Sequence, residues 1–160
     1  AFWREPLSAY GFTGRGYWRH LRWYALLFLP VGLLVLAVSF QPAFNQKYPF
    51  YDEVRGLGDF LIWEFFYGLQ FVFLEFFFRG FMIHGTKRRL GIYSVFWMVA
   101  PYMMIHFGKP TLEATGAIIA GSVLGFLSLR TKSVFGGATI HITVAITMDV
   151  MALFQRGFFR

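Results

Sequence analysis

Five stretches of this chain, approximately 23–40, 57–84, 92–107, 112–129 and 134–154, are apolar over lengths close to the about 20 residues a helix needs to cross a bilayer. Inside lipid no water satisfies backbone N–H and C=O groups, so such stretches close their own hydrogen bonds as helices. The expected fold is therefore all-α, a polytopic transmembrane bundle of about five membrane helices. Composition agrees, since only 14% of residues are charged where soluble domains carry about 25%. No Ser-rich, Pro-rich or charge-rich linker divides residues 1–160, which are read as one membrane domain. The chain has no Cys, which excludes disulfides, thiolate metal sites and a Cys nucleophile.

Ahead of the first stretch lies a segment that includes Tyr17, Trp18, Arg19, Arg22 and Trp23. Aromatic rings and arginines collect at headgroup level, so residues 1–22 are expected to form an interfacial helix on the membrane surface. Five crossings place Arg4, Arg15, Arg19, Arg22, Lys87, Arg88, Arg89, Arg130 and Lys132 on one side, and Lys47, Arg55, Lys109, Arg156 and Arg160 on the other. Nine basic residues against five orient the amino terminus toward the cytoplasm by the positive-inside rule. The net charge of +7 is thus assigned to loops facing membrane lipids, and not to nucleic acid, for which no basic binding motif is present.

The fourth stretch contains a Gly-x-x-x-Gly pair, Gly121 and Gly125, with Gly116, Ala117 and Ala120 nearby. Small residues at this spacing let two helix backbones approach, and packing within the bundle is expected ahead of a dimer interface. Pro110, Thr111 and Glu113 read as the start of this helix, with Thr111 as its cap and Glu113 complementing the helix dipole.

Polar side chains inside the stretches are few. Glu75 and Arg79 sit one helical turn apart in a run of Phe, Val and Leu; His106, His141 and Asp149 lie in later stretches. Charges at mid-membrane cost about 2.5 to 3.5 kcal/mol each and persist when they pair or serve a site. At 1.5 Å per residue from the basic side, Glu75 lies about 15 Å deep, His106 about 20 Å, His141 about 10 Å and Asp149 about 22 Å. His141 is then level with Glu75 and Arg79, and Asp149 with His106. Each position also has a plain structural reading: an intrahelical ion pair, a His near a helix end, a core His, a hydrogen-bonded acid. Glu64, beside Trp63, is read as interfacial, and His84 as a boundary residue. Together, two His, a carboxylate and an Arg are the parts for activating water and stabilising an oxyanion. Zinc at His106 and His141 is the one metal reading left open, without the i, i+4 His pair on one helix that would strengthen it; no other cofactor is expected.

Three segments carry a family resemblance: Glu75 to Gly80, then Tyr102 to His106, then His141 on the last apolar stretch. They resemble, in order, the E-E-x-x-x-R, F-x-x-x-H and H-x-x-x-N/D motifs of the CPBP intramembrane peptidases, the family of CAAX-processing and bacteriocin-processing membrane proteases. The resemblance spans about 71–154. It implies site residues Glu75, Arg79, His106 and His141, with Tyr102 at the aromatic position of the second motif in support; Asp149, one turn beyond position 145, is read as a further supporting acid from its place in the last stretch. It also implies departures: Leu74 stands where the family has its first Glu, which acts on water with the second-motif His, and Ala145 where it has Asn or Asp.

Two functional readings follow. In the first, Glu75 replaces the missing Glu and activates water with His106, while His141 and Arg79 stabilise the oxyanion. The protein is then an intramembrane endopeptidase acting on membrane-proximal peptide segments or lipidated proteins. A one-residue shift moves a side chain about 100° around a helix, so this reading requires a rotated or locally unwound helix. In the second, the ion pair is structural and the chain is a non-enzymatic accessory subunit of a larger membrane complex. A carrier is disfavoured, because the sequence shows no inverted repeat.

Overall fold

The computed structural model describes residues 5–51 and 53–158. Regular structure among them is helical throughout. A 3-10 turn at Leu7–Tyr10 is followed by α1 (Tyr17–Ser39), α2 (Pro42–Lys47), α3 (Leu57–Glu75), a π-helical segment (Phe76–His84), α4 (Gly85–Leu90), α5 (Tyr93–Met104), α6 (Thr111–Thr131) and α7 (Phe135–Gln155). Four stretches are long and apolar enough to cross a membrane: Tyr17–Ser39, Leu57–Leu90, Thr111–Thr131 and Phe135–Gln155. Leu26, Leu33, Phe65, Phe73 and Ile119 point outward from them. Exposed apolar surface on this scale suits lipid contact and not water.

The stretch expected over 92–107 forms a shorter helix than the other four, α5, whose 12 residues rise only about 18 Å. Pro101, which has no amide hydrogen to donate, lies in its last turn. Residues 105–109 then pass through turns, with His106 N–H donating to the Met103 carbonyl and Gly108 at φ 84°. The apolar letters of 105–107 look like a continuing helix and form its unwound end.

The interfacial helix is corrected. Residues 17–22 open α1 itself, and residues 5–16 fold against the start of α7, where Val134 N–H donates to the Gly11 carbonyl (2.9 Å) and the Ser133 hydroxyl to the Thr13 carbonyl (2.7 Å). Gly11 (φ 79°) and Gly16 (φ 74°) supply the left-handed turns this path needs. Residues 1–4 of that expected helix lie outside the described residues.

Contacts define two ends. At the basic end, residues 11–13 meet 133–134, and His84 of the π segment meets Ser128 of α6. At the opposite end, Asn45 donates to Gln155 (3.0 Å) and Arg156 to the Tyr48 carbonyl (2.8 Å). There Tyr48 also donates to Glu113, which is paired with Lys109 at 2.6 Å. Glu113 therefore lies in the first turn of α6 as expected, whereas the cap position belongs to Pro110 and not to Thr111.

Within the bundle α1 and α3 pack on α7, α5 packs on α6, and the π segment touches both α5 and α6. Gly121 and Gly125 bring α5 onto α6: a Cβ at either would lie 2.8 Å from Tyr102 or Val95 respectively. The glycine pair is thus used inside the protein. Phe78, Ile83, Val95, Met98, Val99, Tyr102 and Ala117 form the apolar centre of this half, and Leu74 packs against it.

Candidate functional site

Glu75 is the last residue of α3, at the junction where the helix widens into the π segment. π-helical turns are rare and recur at functional sites, because each changes the angular register of the residues around it. The carboxylate of Glu75 is fully buried, and one oxygen, Oε1, takes both of its charged partners: Arg79 Nη1 at 2.9 Å and His141 Nδ1 at 3.1 Å. The other oxygen, Oε2, faces Gly137, one turn before His141 on α7; a Cβ there would stand 2.3 Å from it. Glycine at 137 is what lets α3 and α7 approach closely enough for the Glu75–His141 bond.

His141 is fixed from two directions. Its Nδ1–H donates to Glu75, and Phe71, one turn before Glu75 on α3, stacks on its ring with centroids 4.4 Å apart and planes 28° apart. With Nδ1 carrying the proton, Nε2 is left as the basic nitrogen. The His141 side chain is 17% exposed while Glu75 and Arg79 are wholly enclosed, so the imidazole is the part of this triad that an incoming group meets.

Arg79 reaches out of the π segment with its guanidinium 4.0 Å from the centre of the Tyr102 ring, a cation–π contact that offsets part of the cost of burying its charge. All three of its nitrogens, and Oε2 of Glu75, are buried without a hydrogen-bond partner of good geometry among the described residues, so Nη1 meets Glu75 as an ion pair. Leaving such a group unpaired costs about 1 to 3 kcal/mol. Tyr102 is the hub of this region, with His106 at 4.8 Å, His141 at 6.3 Å and Phe78 at 5.2 Å, centroid to centroid.

His106 sits at the unwound end of α5. Its Nδ1–H donates to the Tyr102 carbonyl at 2.8 Å, which again leaves Nε2 as the free nitrogen. The expected pairing of Glu75 with His106 is not the one observed: Glu75 bonds His141, as depth arithmetic suggested, and Leu74 packs with the Phe78–Tyr102 apolar cluster. Asp149 is buried on α7 beside Glu64 of α3, which is itself buried. Ala145 is buried and offers no polar atom to the site.

His84 is also buried. Lys87 Nζ donates to its Nδ1 (2.8 Å), so its Nε2 carries hydrogen and donates to Ser128 (3.0 Å). In that tautomer it cannot take a proton from Ser128, and the pair holds α6 to the π segment. Among the described residues no group of three or more His, Asp or Glu is placed to hold a metal ion. Phe71 and Gly137 are the site residues that sequence reasoning missed. Their signal was spacing: each lies four residues before a polar site residue.

The geometry thus places an imidazole, oriented by a buried carboxylate, and a second imidazole around one Tyr ring at membrane depth. No curated protein and no solved structure matches the chain. The model of the type II CAAX prenyl endopeptidase Rce1-like family matches residues 57–147, which run from the start of α3 through most of α7 and include Glu75, Arg79, Tyr102, His106 and His141. With more than half its length matched, this integral membrane protein belongs to the Rce1-like family of type II CAAX prenyl endopeptidases.

Proposed function

We propose that the protein is an intramembrane endopeptidase whose water-activating group is His141 oriented by Glu75, with His106 facing the substrate carbonyl. The observation that carries this reading is the 3.1 Å bond from His141 Nδ1 to a fully buried Glu75. A carboxylate in that position fixes the tautomer and stabilises the imidazolium once it forms. His141 Nε2 takes a proton from water, and the water oxygen bonds to the peptide carbonyl carbon. His106 acts as the imidazolium, keeping its Nδ1–H on the Tyr102 carbonyl and donating an added Nε2–H to the developing oxyanion. The proton on His141 then passes to the amide nitrogen as the C–N bond breaks, releasing a new carboxyl terminus and an amine. The substrates proposed are peptide segments at the membrane surface, including lipidated protein termini. The basic end is proposed to face the cytoplasm, since it carries most of the Lys and Arg.

Purified protein in lipid nanodiscs, incubated with a fluorogenic membrane-anchored peptide, should cleave it; His141→Ala and His106→Ala should each abolish turnover while preserving thermal stability, and Glu75→Gln should abolish turnover and also lower stability, because it strands the buried Arg79 charge. A second reading, a non-enzymatic subunit of a membrane complex, is favoured by Leu74, packed into the apolar cluster where the family has a carboxylate, and by the apolar Ala145. Wild-type protein that turns over none of a peptide panel, and gains hydrolysis only in the Leu74→Glu, Ala145→Asn variant, would establish that reading and overturn the first.

A further inference from the structure

An open groove of about 650 Å³ lies at the basic end, between the 3-10 turn, α4 and α5. Its floor is Tyr10 and His84, its rim Arg88 and Arg89, and its outer wall Leu90 and Trp97. His84 is fully engaged by Lys87 and Ser128 and contributes no free polar atom. The rim is different. Both arginines are exposed, and Arg89 has no acidic partner among the described residues.

Three observations say what fits here. First, the rim already binds an anion of the protein's own: Glu5 places a carboxylate oxygen 2.8 Å from Arg88 Nη1. Second, Glu5 is the only acid among the described residues at this end, which also carries Arg15, Arg19, Arg22, Lys87, Arg130 and Lys132. Third, the wall turns apolar with depth. Trp97 lies one turn further along α5 than Tyr93, and both rings, with Leu90, are exposed where the helix faces lipid. A charged rim running into an apolar wall over the depth of one helical turn has the polarity profile of a single phospholipid lying along it.

We propose that this groove binds one anionic phospholipid, its phosphate on Arg88 and Arg89 in place of Glu5 and an acyl chain along Leu90 and Trp97. Glu5 is then an internal competitor, leaving the rim when lipid arrives.

The test is native mass spectrometry of the full chain, released from nanodiscs made with phosphatidylglycerol or with phosphatidylcholine. Wild-type protein should retain one phosphatidylglycerol and little phosphatidylcholine. Arg88→Gln with Arg89→Gln should reduce retention about fivefold per arginine, the effect of one basic residue at an anionic surface. Glu5→Gln should raise it. Arg15→Gln with Arg19→Gln, the same charge removed elsewhere at this end, should leave it unchanged. Inorganic phosphate alone, at millimolar concentration, should neither be retained nor displace the lipid. The proposal falls if both lipids are retained equally, if the two arginine pairs have equal effects, if Glu5→Gln weakens retention, or if phosphate alone displaces the lipid.

Discussion

Oε2 of Glu75 lies where a Cβ on Gly137 would stand 2.3 Å from it, so α3 and α7 meet here only because one methyl group is missing. Gly137→Ala must push Glu75 away from His141 or pry the helices apart. Overpacking of this kind costs about 1 to 3 kcal/mol. Thermal unfolding in detergent should show the loss, and turnover should fall with it. Unchanged stability together with an intact Glu75–His141 bond would refute the packing argument.

Arg79→Ala leaves the Glu75 carboxylate enclosed with only the His141 imidazole beside it. Removing one partner of a buried pair costs about 3 to 5 kcal/mol, more than replacing both by apolar residues. Expression yield and melting temperature should therefore be lower for Arg79→Ala than for Glu75→Leu with Arg79→Leu. Equal losses in the two variants would mean that the pair is not coupled.

Tyr48 lies outside the spanning helices, and burial, reinforced by the charge of Glu113, holds its phenol well above the ordinary value of 10.0. Above that pH the unfolded chain releases this proton and the folded chain keeps it. The folded state then binds more protons, and stability falls as pH rises. Melting temperatures above about pH 10 should decline more steeply for the wild type than for Tyr48→Phe. Parallel curves would show that Tyr48 contributes nothing to the alkaline limb.

The placement of Tyr48, Asn45 and Gln155 at one end and His84 and Ser128 at the other predicts a labelling pattern. In the Cys-free chain, Gln46→Cys and Arg88→Cys, both exposed positions, should react with a membrane-impermeant maleimide from opposite faces of sealed vesicles. Labelling from the same face would overturn the arrangement of the helices.

Much of this was legible in the sequence because lipid narrows the choices. Long apolar stretches had to be helices, and the few ionisable groups within them had to find partners, so Glu75, Arg79 and His141 could be placed together from depth alone. The rest depended on backbone irregularities that leave no mark on hydropathy. Ile105 and Phe107 are as apolar as any spanning residue, yet Pro101 and Gly108 unwind the chain around them. Tyr17 and Trp18 have interfacial chemistry and still begin α1, because an interfacial residue can be the first turn of a crossing helix as readily as part of a separate one. Glu64 was placed by the Trp beside it, while its environment is set by Asp149 on a helix far away in sequence.

The brevity of α5 also reaches beyond the protein. Its 12 residues give lipid along that side an apolar strip of about 18 Å, against a hydrocarbon core of about 30 Å. A short apolar span is accommodated by local thinning of the bilayer, at a fraction of a kcal/mol per ångström of mismatch. Phe96, Trp97 and Met104, exposed along α5, and Ile105 just past its end are the surfaces the deformed leaflets would follow. Headgroups and their hydration would then dip toward the level of His106. A reaction that consumes water is thereby brought nearer its supply without any channel through the bundle.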